Sequence, residues 1–257
     1  MNIIDIQIQL NELYKDKLNK NNISSLADKE LLSAPLLIKA YESYFNANIK
    51  IMYIGKETNY WLTHSSIELN KRGLNGVYDT NHNLDIDRLL ERYDIQMTQQ
   101  ENWNKHAFFR QYDNIKTKLV DRHTNNGSMV WNNIFKMAYD QGKGYSKTSK
   151  NHSEKLESIS KELFLEELNI LKPNILIFVT GSSYDKIIKN FLKEYETDKV
   201  IIPKKLWKFK YKDKLCYRTV HPDSIRFTKK EDREDYYQLI IDDIHKEIEK
   251  GQLTSTN

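Results

Sequence analysis

The chain has 257 residues, with 40 Lys and Arg against 36 Asp and Glu for a formal charge of +4, and 39% of its residues are hydrophobic. That near-balance and that much apolar material exclude wholesale disorder, and the length suits one elaborated α/β domain spanning residues 1–257. The longest apolar runs fall far short of the roughly 20 residues a membrane-spanning helix needs. The opening MNIIDIQIQL has no basic leader and carries Asp5 inside its apolar run, so a cytoplasmic address is expected. Cys216 is the single cysteine, and no Cys or His cluster has ligand spacing, so the expected chemistry uses ordinary side chains with neither metal nor cofactor.

Ser33 and Pro35 precede Leu36, Leu37, Ala40, Tyr44 and Phe45, whose spacing predicts a helix ending near residues 46–48. The period then changes. Ile49, Ile51, Met52, Tyr53 and Ile54 predict a buried strand that stops at Gly55, and KETNYW, residues 56–61, forms the loop after it. Residues 70–83 are expected to be irregular, with helices at about 84–93 and 102–119; the second carries Phe108, Tyr112, Ile115 and Leu119 on one face. The turn Asn125-Asn126-Gly127 leads into a second strand, 128–133. Residues 140–153, DQGKGYSKTSKNHS, read as a mobile loop, either solvated or in touch with a polyanion.

Leu156, Ile159, Leu163, Leu168 and Leu171 outline a helix closed by Pro173, and residues 175–179 form the clearest strand. Thr180-Gly181-Ser182-Ser183 supplies a turn and an N-cap for a helix through Ile187, Ile188, Phe191 and Leu192. Between 199 and 218, Trp207, Phe209 and Tyr211 alternate with Lys208, Lys210 and Lys212, and Lys212-Asp213-Lys214 turns the chain back, which makes a basic β-ribbon. The ribbon delivers the chain to HPDSIRF, residues 221–227, before an amphipathic helix over about 229–250. Helix, strand, turn, helix is the pattern of a parallel α/β sheet.

In such a sheet, ligands bind beyond the carboxyl ends of the strands. That rule selects Gly55-Lys56-Glu57-Thr58-Asn59, Asn132-Asn133 and His221, a carboxylate, an amide and an imidazole suited to hydrolysis. Taken singly, each has a blander reading as a surface acid, a strand-end amide or a packing histidine. Together, IMYIGKETNYW (51–61), VWNNIFKM (130–137), ILIFVTGSS (175–183) and TVHPDSIRF (219–227) resemble the ordered motifs of the uracil-DNA glycosylase superfamily. The resemblance implies a three-layer α/β/α sandwich around a short central parallel sheet, a motif-bearing core at about 33–227, and base excision from DNA without a metal.

Through the resemblance, Glu57 falls where the family places its water-activating acid, one methylene longer than the usual Asp. A carboxylate there orients water and stabilises positive charge on the sugar. Asn133, with Asn132 as fallback, matches the amide that reads the flipped base, and only one of the two should face the pocket. His221 would donate to the departing pyrimidine. Pro222 shapes the turn, Asp223 stands where the family has Ser so that either Ser224 takes over its phosphate contact or the loop differs, Ile225 matches the residue that wedges into the duplex, and Arg226 would join the DNA contacts. Asn59 replaces an aromatic gate that excludes thymine, leaving Tyr60 or Trp61 to stack on the base.

Two substrates stay open: uracil, or a pyrimidine substituted at carbon 5, including the modified cytosines of some viral DNAs. The polar set Lys56, Thr58 and Asn59 favours the second, which would make the protein an antiviral factor rather than a repair enzyme. Lys208, Lys210 and Lys212 read as phosphate contacts near His221, or else as lysines that keep a sheet edge soluble. The rival functions are a binding module that recognises modified DNA without turnover and a nucleoside or nucleotide hydrolase.

Overall fold

The computed structural model describes residues 2–26, 32–58, 61–62, 73–79, 83–98, 105–123, 127–139, 154–224, 228–251 and 253. The elements in chain order are α1 (Ile3–Lys17), α2 (Lys20–Ser24), α3 (Glu42–Phe45), β1 (Ile49–Gly55), α4 (Ile86–Thr98), α5 (Ala107–His123), β2 (Gly127–Asn133), α6 (Glu154–Leu171), β3 (Ile175–Phe178), α7 (Asp185–Phe191), β4 (Tyr195–Ile202), β5 (Leu206–Tyr211), β6 (Lys214–Arg218) and α8 (Lys230–Glu249). The chain divides into two compact units. The first comprises Met1–Ala40, Lys56–Glu101 and Asn133–Leu171; the second comprises Tyr41–Gly55, Asn102–Asn132 and Lys172–Asn257. The loop at 140–153 lies outside the described residues.

In the first unit α1 packs against α6. Helix α1 starts with a reciprocal cap in which Asn2 Oδ1 accepts from the Asp5 N–H and the Asp5 carboxylate accepts from the Asn2 N–H. Its buried stripe is Ile6, Leu10 and Tyr14, at a spacing of four. The helix expected from residue 36 is corrected to an extended segment, with only Glu42–Phe45 helical. The physical reason is visible in its donors. Ser33, Ala34, Leu36, Ile38 and Ala40 give their N–H groups to Ala138 O, Trp61 O, Lys136 O, Tyr14 Oη and Gln7 Oε1 respectively, while Pro35 has none to give. The segment is buried on both sides, so it carries apolar residues without a solvent face to set a period.

The sheet is six-stranded, in the order β2-β1-β3-β6-β5-β4. Strands β1, β3 and β6 run parallel, whereas β5 pairs antiparallel with β6 and with β4. The expected short parallel sheet is therefore a mixed sheet flanked by helices, because the expected ribbon is built into it as β5 and β6. Strand β4 escapes a sequence reading: it is mostly exposed, carries three charges in YETDKVII, and breaks register twice. Charges and bulges of this kind protect an edge strand from pairing with other chains.

Within the second unit, register places Tyr53, Ile177, Tyr217 and Lys208 side by side on one face. Helices α5 and α8 cover that face: Tyr53 meets Phe108 and Tyr112 edge-on, and Tyr217 and Lys208 meet Asp243 and Glu247. The opposite face carries Arg218, whose guanidinium pairs with Asp185 of α7 at 2.7 Å. Neither Ser182 nor Ser183 caps α7; the turn is made instead by Gly181 at φ 72°, a left-handed conformation that favours glycine.

Burial alone would raise the Asp243 carboxyl, but the Lys208 ammonium at 2.8 Å and the Tyr217 hydroxyl at 2.5 Å outweigh it and hold the group below its ordinary value. Burial would likewise lower Lys208, and Asp243 and Glu247 outweigh it, so its ammonium is raised. A depressed carboxyl contributes stability above its unfolded pKa and loses it as pH falls through the folded one. Asp243→Asn is thus expected to cost about 1–2 kcal/mol at neutral pH, with the gap to wild type closing as pH drops below the ordinary 3.8. Urea midpoints from pH 7 to 3 check this, and a gap that stays constant over that range contradicts it.

Candidate active site

The acid-bearing loop and the strand-end amide are knitted together inside the first unit. The Lys56 carbonyl accepts from the Phe135 N–H at 2.9 Å. The Thr58 side chain, 2% exposed, shares a hydrogen bond of 3.0 Å with Ser33 Oγ, which also accepts from the Ala138 N–H. Residues 56–58 are thereby fixed beside residues 133–138, with Lys56 and Glu57 half-buried and Asn133 buried. The Asn132 amide donates to Met52 Sδ at 3.3 Å, and alternation leaves Asn133 on the opposite face.

Two members of the expected base pocket are corrected. The Thr58 hydroxyl serves the loop through Ser33 rather than standing open to a substituent. Trp61 is 4% exposed and its ring is covered by the Arg92 guanidinium at 4.8 Å, so it packs within the unit and offers no stacking face there. Asn59, Tyr60, Ile225 and Arg226 lie outside the described residues.

The second unit holds Gly55 and the His-Pro turn. Ile54 and Arg218 are both level with Phe178 of the strand between them, so Gly55 and Thr219, one residue further on, leave the sheet level and on the same carboxyl edge. Two strand spacings separate them by roughly 10 Å. The ladder continues past the strands, with Val179 N donating to Ile54 O, Thr219 N to Phe178 O and Gly181 N to Thr219 O. The Tyr237 hydroxyl then anchors Val220 through its carbonyl at 2.7 Å.

His221 is oriented by its own turn. The Asp223 N–H donates to His221 Nδ1 at 3.1 Å, and Ser224 N donates to His221 O at 3.0 Å. A neutral imidazole whose Nδ1 accepts carries its proton on Nε2, which makes Nε2–H a hydrogen-bond donor. Pro222 is buried, Asp223 is exposed and Ser224 is half-buried. Arg233 braces the end of this loop by donating to the Ser224 and Thr228 carbonyls. A groove of about 810 Å³ opens beside Pro222 and Asp223 between α5 and α8, and its lining carries Arg110, Lys118, Lys230 and Arg233 together with Glu234 and Asp235.

The expected placement of the ribbon lysines beside His221 is corrected by strand direction. Strand β6 runs toward His221, so the Lys212-Asp213 turn at its start lies at the opposite edge of the sheet, four strand steps or roughly 13 Å away along β6. Lys210, paired with Leu215, is near that far edge too. Lys208 is 8% exposed and ion-paired with Asp198, Asp243 and Glu247, so its charge is neutralised within the unit. The β4–β5 turn, at the other end of β5, does bring basic side chains to the His221 edge. Lys204 is exposed there with its carbonyl held by Arg218, and Lys205 donates to Thr228 Oγ1 at 2.8 Å. A hairpin's antiparallel geometry, applied to the sequence, could have found this.

Among the described residues, no helix is long and apolar enough to cross a membrane. No family model and no curated protein matches the chain.

Proposed function

We propose that the chain is a monofunctional DNA glycosylase with a three-layer α/β/α fold like that of the uracil-DNA glycosylase superfamily. The observation that carries this reading is the level exit of Gly55 and Thr219 from one sheet edge, roughly 10 Å apart, because the acid loop begins at the first and the His-Pro turn at the second. The order of the four motifs, the loop knitted to the Asn133 segment and the Nε2–H of His221 add to it.

In the proposed reaction the C1′–N1 bond of an extruded pyrimidine breaks and the electron pair stays with the base. His221 donates from Nε2 to the base oxygen as negative charge grows there. Glu57 stabilises the cationic sugar, orients a water for attack at C1′ and takes its proton. Asn133 reads the base, and an abasic site remains. The target is a pyrimidine substituted at carbon 5, such as the modified cytosines of some viral DNAs, or uracil. Lys56 is the described side chain that keeps the first of these open.

The test is incubation with duplex and single-stranded oligonucleotides carrying uracil, thymine mismatches and substituted cytosines, beside free nucleosides, with released bases identified by mass spectrometry. Release from DNA alone is the expected result. Release from nucleosides alone would point to a nucleoside hydrolase, and neither free base nor an alkali-labile site from any substrate overturns the enzymatic reading. Edge geometry adds a second expectation. Lys204→Ala should weaken duplex binding a few-fold and reduce the slope of log K against log salt by about 1, while Lys212→Ala leaves both unchanged. Anisotropy titrations at several salt concentrations check it, and equal effects from the two variants contradict it.

A further inference from the structure

We propose that Phe108, at the start of α5, is a positioning residue that fixes the plane of the His221 imidazole; the proposal rests on the reading of His221 as a donor to the base. The two rings lie stacked with centroids 6.0 Å apart and planes 30° apart. That is within the range in which aromatic pairs attract. The Asp223 N–H holds one edge of the imidazole through Nδ1, and the Phe108 ring limits rotation about that hydrogen bond by standing against its face.

Phe108 can do this because it is itself held on several sides. Tyr53 meets it edge-on at 4.9 Å and donates its hydroxyl to the Phe108 carbonyl at 3.4 Å. Phe109 and Trp131 complete the ring cluster at 5.2 and 5.9 Å. The Tyr237 hydroxyl, close to that of Tyr53, donates to the carbonyl just before His221. The chain entering His221 and the ring stacked on it are thus tied to one buried pair of tyrosines. Phe108 has a packing role in any case, and the same packing sets its ring over the face of the His221 imidazole.

A donor displaced by about an ångström loses much of its effect on rate while the ground-state complex is little changed. Phe108→Leu is therefore expected to slow single-turnover base release about tenfold with duplex Kd unchanged within about twofold. Phe108→Tyr, which keeps the ring, should stay within about threefold of wild type. In a His221→Ala background Phe108→Leu should cost nothing further, since it acts through the imidazole. Phe108→Met refills the cluster without a ring plane and stands in where Leu does not fold.

An arm independent of activity reads the imidazole directly. Nitrogen-15 multiple-bond spectra of His221 should show the Nε2-protonated tautomer in wild type and Phe108→Tyr, and a tautomer mixture in Phe108→Leu or Phe108→Met. An unchanged tautomer in the ringless variants, or an undiminished rate loss in the His221→Ala background, overturns the proposal. If wild type releases no base from any DNA, the glycosylase reading fails, and the tautomer spectra alone decide the positioning role.

Discussion

Glu57→Gln is expected to slow single-turnover base release by roughly 10²–10⁴-fold, the usual contribution of a positioned acid or base, while duplex affinity stays within about twofold of wild type. Gln preserves the shape of the side chain and removes only its charge and its ability to take a proton. The loop that carries it is held by the Lys56 carbonyl on Phe135 and by the Thr58 side chain on Ser33, bonds that do not run through the Glu57 carboxylate. A loss of rate with unchanged affinity and an unchanged urea midpoint therefore reports chemistry rather than a collapsed loop. The same variant separates turnover from recognition: a module that only binds modified DNA would be little altered in binding and would show no base release to lose. Quench-flow release and anisotropy binding on one preparation provide both readouts. Equal rates in Glu57→Gln and wild type would remove Glu57 from the mechanism.

What could be read in advance divides by physical type. Strands β1, β2 and β3 were legible because short β-branched and aromatic runs end abruptly in polar or glycine residues. Helices α6 and α8 were legible because each buries one stripe and leaves the rest in water. Residues 36–41 depart from the expected helix because a segment buried on both sides has no period of its own and takes its shape from partners far along the chain, here Lys136 and Tyr14. Strand β4 went unseen for the converse reason, being exposed on both faces.

The site followed the same division. Glu57, Asn133 and His221 could be singled out by their positions after strands, whereas the covering of Trp61 by Arg92, and of His221 by Phe108, depends on helices whose placement no local pattern encodes. The ribbon lysines were misjudged for a different reason. Nearness to His221 in sequence is not nearness in space, because a strand pointing toward His221 carries its own starting turn away from it.

Lys136→Met is expected to destabilise the protein by about 3–5 kcal/mol, the cost of breaking a buried ion pair by removing one partner. Lys136 and Glu167 are in contact, and both side chains are wholly excluded from solvent. Burial lowers the Lys136 ammonium, with Glu167 working against that shift, and burial followed by the Glu167 charge raises the Tyr14 phenol. Tyr14 donates to Glu167 Oε1 at 3.1 Å and accepts from the Ile38 N–H at 3.0 Å, so this one pair also holds the extended segment that the sequence pattern had suggested as helix. Removing the ammonium leaves the buried carboxylate beside Tyr14 without the Lys136 charge. Pairing the change with Glu167→Gln neutralises the stranded group yet keeps an acceptor for Tyr14, and should recover more than half of the loss. Base release per folded molecule should stay within a few-fold, because Lys136 lies out of reach of solvent and acts through the fold. Urea denaturation of both single variants and the double closes the cycle. If Lys136→Met is as stable as wild type, the pair carries no structural burden, and Lys136, three residues beyond Asn133, must be sought a different role.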